Sequence, residues 1–108
     1  MMPSNIINEL QELIQINRKG VDALFEAEQE LAEKENALDK IESQSFLDAQ
    51  GTVADRQALA RLEAADARFE RDISKAKVNR VRTKLRVIES AMMAQGTMSK
   101  IMQAEMKL

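Results

Sequence analysis

The residues best placed to do chemistry in this chain stand in two blocks of opposite charge. Between Asp22 and Glu42 there are eight acids and two lysines, densest at Glu26, Glu28, Glu30, Glu33 and Glu35. Between Lys75 and Arg86 there are six cations and no acid: Lys75, Lys77, Arg80, Arg82, Lys84 and Arg86. Paired carboxylates serve as general acid and base only when burial or a close neighbour shifts their pKa. Acids spaced like these read as a solvated helix face, and a thin pair of helices has no pocket to bury them. Glu-rich helix pairs hold metals when a His follows a Glu by three residues, and the sequence has neither His nor Cys. That removes the commonest general base, thiol chemistry, disulfides and Cys-based zinc. No glycine-rich phosphate loop is present. The expectation is a protein that is not an enzyme, with no cofactor, no metal and no catalytic residue.

The basic block has two readings. In the plainer one it neutralises the acidic block, its long aliphatic stems covering the edges of an apolar stripe. In the sharper one Lys75, Lys77, Arg80, Arg82, Lys84 and Arg86 form a basic surface for nucleic acid or an acidic partner. A net charge of −2 and the lack of interleaved aromatics favour the plainer reading. No apolar run approaches the roughly 20 residues that a membrane helix needs, and the N-terminus carries no signal pattern. The location expected is cytoplasmic, with no membrane partner.

The elements that carry these blocks are helices. Phe25, Phe46 and Phe69 are the only aromatics among 108 residues, with three Gly and one Pro, too few turn and strand formers for a sheet. Ala, Leu, Glu, Lys, Arg, Gln and Met dominate, the residues that lose least in a helix. The expected fold is all-α: a long antiparallel helical hairpin with a short C-terminal helix, dimerising into a helical bundle. One helical domain spans 1–108, with helix 1 at about 5–49, helix 2 at about 53–94 and a tail helix at about 98–107.

Ser4 or Asn5 can cap helix 1. From Ile6 a seam then runs in steps of four and three through Leu10, Leu13, Asn17, Gly20, Leu24, Ala27, Leu31, Lys34, Leu38 and Ile41. That is coiled-coil spacing, with Asn17, Gly20 and Lys34 as its defects. Gly51 suits the end of a helix, and Thr52 to Asp55 has the spacing of a capping box. Gly96-Thr97 repeats the stop and cap. A turn at residue 51 sets residue n roughly beside residue 102 − n. Small residues (Ala54, Ala58, Ala64, Ala65) line the turn end. At the open end Ile7, Leu10, Leu13, Ile14 and Val21 face Val81, Leu85, Ile88 and Met92.

Helix 2 carries two apolar stripes turned by about 140° from each other at 100° per residue. Leu62, Ala65, Phe69, Ile73 and Ala76 form the first, expected to pack on helix 1. Val78, Val81, Leu85, Ile88 and Met92 form the second, expected to meet a partner: a second copy, a foreign protein or the tail.

Residues 51–58, Gly-Thr-Val-Ala-Asp-Arg-Gln-Ala, resemble a turn segment common in small uncharacterised helical-hairpin proteins of tailed bacteriophages. Leu85-Arg86-Val87-Ile88-Glu89 is similar to part of their second helix, although Ser90-Ala91-Met92 departs from the Arg or Trp-Arg that often follows there. The resemblance implies a phage accessory protein, encoded near replication and recombination genes, and supplies no activity. Arg56 matches the turn arginine, for which a salt bridge fixing the hairpin end is the expected role. The function expected is therefore protein–protein interaction by a homodimer with a further, unidentified protein partner. It would act in phage DNA recombination or replication, or by inhibiting a host defence factor. The alternatives are direct nucleic-acid binding through residues 75–86, or a small secretion or assembly chaperone.

Overall fold

The computed structural model describes residues 3–106. Among them there is no strand; the chain forms three helices, α1 Pro3–Asp48, α2 Val53–Glu63 and α3 Ala65–Met106. α1 is already helical at Pro3, so Ser4 and Asn5 lie inside it and do not cap it. Proline suits that first turn because its φ is already helical and its missing N–H has no partner to lose.

Between α1 and α2, Gly51 takes a φ of 113°, a region costly for any residue with a Cβ. Thr52 caps α2. Its hydroxyl accepts from the Asp55 backbone N–H at 3.2 Å, and the Asp55 carboxylate accepts from the Thr52 N–H at 3.4 Å. Arg56 does not make the salt bridge expected of it. Its Nε donates to the Phe46 carbonyl at 3.1 Å, and its guanidinium lies 4.2 Å from the centre of the Phe46 ring. It therefore satisfies one of the carbonyls that the end of α1 leaves open and stacks on the same residue.

The second helical region differs from the expectation at both ends. The helix breaks at Ala64, which closes α2 with φ −88° and ψ 2°. No Gly or Pro marks the spot. Ala64 and Ala60 are buried, small enough to let α1 come close, and the break is held from across by side chains. Arg68 donates from Nη1 to the Arg61 carbonyl at 3.3 Å and pairs with Glu42 through Nη2. Ser45 Oγ donates to Glu63 at 2.6 Å. At the other end α3 continues through Gly96 and Thr97 to Met106, so no separate tail helix forms. Gly96 stays helical because one helical glycine costs only about 1 kcal/mol, and Thr97 turns its hydroxyl back to the Met93 carbonyl at 3.0 Å.

The helices group into two compact units, Met1–Leu24 with Arg80–Leu108, and Phe25–Asn79. In the first, Ile6 and Leu85 are buried, with Leu10, Leu13, Asn17 and Gly20 half-buried along α1 and Val81, Ile88, Met92 and Gln95 along α3. In the second, Ala27 and Leu38 on α1 are buried, as are Ala60, Ala64, Ser74 and Val78 on α2 and α3. The buried positions of α1 are those of the four-three seam. A matching seam on the other side runs Ala60, Ala64, Ala67, Arg71, Ser74, Val78, Val81, Leu85, Ile88 and Met92. In unit two Glu30 meets Lys77, Lys34 meets Glu70 and Glu42 meets Arg68, an antiparallel order. In unit one Gln95 donates to Glu9 at 2.7 Å. These partners fall two to eight residues further along the chain than the 102 − n rule places them.

Candidate interaction surface

The seam decides which apolar residues remain outside, and it reverses the expected roles of the two stripes. Val78 and Leu85 are 2% and 6% exposed, and Val81, Ile88 and Met92 are half-buried. The stripe assigned to a partner is thus covered by the chain itself. Leu62, Phe69 and Ile73, assigned to the intrachain contact, are 72%, 67% and 53% exposed. The cause is the seam's passage through polar and small residues. Counting apolar side chains draws the stripe through Leu62, Phe69 and Ile73, whereas unbroken four-three spacing draws it through Ala64, Ala67, Arg71 and Ser74. Packing follows the spacing, because within unit two that set stays in line with the seam of α1. Nor does the C-terminal stretch cover Val78 to Met92. Met102 and Met106, with Ser99 and Gln103, instead enclose a cavity of about 30 Å³ with Ile6 and Ile7 at the start of α1.

The charged groups divide unevenly. Lys77 pairs with Glu30 at 3.0 Å and Lys34 with Glu70 at 3.1 Å, and Arg82 also has an interaction partner. Lys75, Arg80, Lys84 and Arg86 are exposed and form no ion pair among the described residues. The acidic block therefore neutralises only part of the basic one. All these pairs are substantially exposed, and pairs of that kind are worth about 1 kcal/mol or less.

A thin helix pair was expected to have no pocket, but an open groove of about 530 Å³ lies in unit two. Phe46, Leu47, Gln57, Ala60 and Arg61 line it, with Glu42 and Ser43. It forms because Ala60 leaves room where the Phe46 ring has turned to Arg56. Its carboxylate, Glu42, is already engaged by Arg68, so the groove offers an apolar floor more than reactive groups. Among the described residues no three of His, Cys, Asp and Glu gather as a metal site would need, and no helix is long and apolar enough to cross a membrane.

No family model, curated protein or solved structure matches this chain.

Proposed function

We propose that the chain is a helical hairpin that works by binding protein, first of all a second copy of itself, as a phage-type accessory factor. Its place would be in phage DNA recombination or replication, or in blocking a host defence factor. The observation that carries the reading is the outward-facing set Leu62 on α2 with Phe69 and Ile73 on α3, three large apolar side chains mostly in water. Burying such side chains fully is worth roughly 1.5–3 kcal/mol each.

Thermal unfolding at several protein concentrations tests this reading. If folding is coupled to self-association, the melting temperature rises with concentration. A melting temperature constant across a hundredfold range would overturn it.

A second reading, binding of nucleic acid, is favoured by Arg80, Lys84 and Arg86, exposed and without an ion pair among the described residues. Shift assays at increasing salt test it, since phosphate contacts release counterions and weaken steeply. Replacing Lys77, Arg80 and Lys84 with Gln should leave no such binding to lose under the main proposal. Salt-sensitive binding by the wild type, abolished in that variant, would reverse the ranking.

A further inference from the structure

The two units carry opposite net charge. Phe25–Asn79 holds thirteen acids and eight bases, whereas Met1–Leu24 with Arg80–Leu108 holds eight bases and five acids. The asymmetry is sharpest on the helix backs, the positions turned away from the seam. In unit two the back of α2 and α3 presents Leu59, Leu62, Phe69 and Ile73, all exposed, with Asp66 and Asp72 as its charges and no cation. Asp72 also accepts from Arg71 Nε at 2.7 Å, yet its side chain stays 59% exposed. In unit one the back of α3 presents Val87, Met93 and Ile101, all exposed, with Arg80, Arg86 and Lys100 and no acid. Glu89 and Glu105 fall beside the seam, off this back. Each surface sets exposed apolar side chains among charges of a single sign.

We infer that the occupant of these surfaces is a second copy, packed so that the basic back of unit one meets the acidic back of unit two. The inference rests on the self-association proposed above and adds which surfaces meet. Charge decides the pairing. Unit one on unit one would set Arg86 and Lys100 against their own copies, and unit two on unit two would do the same with Asp66 and Asp72. Like charges placed opposite each other disfavour a contact, and opposite charges steer it. A two-fold axis that carries one such contact carries its reciprocal as well, because an isologous interface repeats each residue pair.

Complementary charge reversal tests the arrangement. One variant carries Asp66→Lys with Asp72→Lys, the other Arg86→Glu with Lys100→Glu. All four positions are exposed, and circular dichroism checks that helicity is kept. In sedimentation equilibrium each variant alone should self-associate at least about tenfold more weakly than wild type. An equimolar mixture should regain wild-type association, since both contacts in the mixed dimer again join opposite charges. If wild type dimerises and either variant alone matches it, or the mixture gains nothing, the basic-to-acidic pairing is wrong while self-association stands. If wild type is a monomer throughout, self-association itself fails, and this inference with it.

Discussion

Leu85 occupies the space in which a side chain at Gly20 would stand: a Cβ on residue 20 would lie 2.6 Å from Leu85 Cδ2 and 3.3 Å from its Cγ. The seam glycine that looks like a defect in sequence is the hole into which the buried Leu85 side chain fits. Leu85→Ala should then cost about 2–5 kcal/mol by emptying that hole. Gly20→Ala should lower the melting temperature, although alanine favours the helix by about 1 kcal/mol. In the Leu85→Ala background the same substitution should raise it. A stabilising Gly20→Ala in the wild-type chain would show that Leu85 yields freely and that the contact is loose.

The connection between α1 and α2 supplies a second prediction. Thr52→Ala removes the hydroxyl that accepts from Asp55 and should cost about 1 kcal/mol. Gly51→Val should cost at least as much. A β-branched residue is strained at a φ of 113°, and its Cβ would meet Asp55 Oδ2 at 3.1 Å. Chemical denaturation in which both variants match wild type would mean that the turn contributes nothing to stability.

Arg56 should not tolerate lysine. Only a guanidinium can donate from Nε to the Phe46 carbonyl while its carbon lies over the Phe46 ring, so the positive charge alone is insufficient. Arg56→Lys should cost about 1 kcal/mol, close to Arg56→Gln. Full retention of stability by Arg56→Lys, with loss in Arg56→Gln, would make charge the operative property and restore the salt-bridge role.

Asn17 occupies a half-buried seam position, and its Oδ1 has no hydrogen-bond partner among the described residues. A buried unpaired acceptor costs roughly 1–3 kcal/mol, so Asn17→Leu should raise the melting temperature. Seam asparagines elsewhere give up stability to fix register. The stabilised variant should accordingly show broader cross-linking between α1 and α3 than wild type. A destabilised Asn17→Leu chain would mean that the amide is better satisfied than its geometry indicates.

Much of the fold is legible in the residues. The four-three spacing from Ile6 to Leu38 names the buried face of α1, and Gly51 with Thr52 and Asp55 carries turn chemistry that few other structures could use. The outward surface was harder to read. Leu62, Phe69 and Ile73 look like core because they are large and apolar, while Arg71 and Ser74, which hold the seam, look like surface. Spacing outweighs side-chain type there, since one misplaced residue costs less than taking a long helix out of line with its neighbour. The break at Ala64 has no local signal either. It is fixed by Arg68, Glu42 and Ser45, contacts between residues distant in sequence. Gly96 is the opposite case, a stop signal in a helix whose neighbours carry it through.

Sedimentation equilibrium of the full chain tests self-association most directly, run beside Phe69→Lys, which places a charge on the exposed back of unit two. The account predicts a wild-type mass near twice 12.2 kDa at micromolar concentration, and a shift toward the monomer in the variant. A wild-type mass of 12.2 kDa at every concentration, with helicity intact, would contradict it.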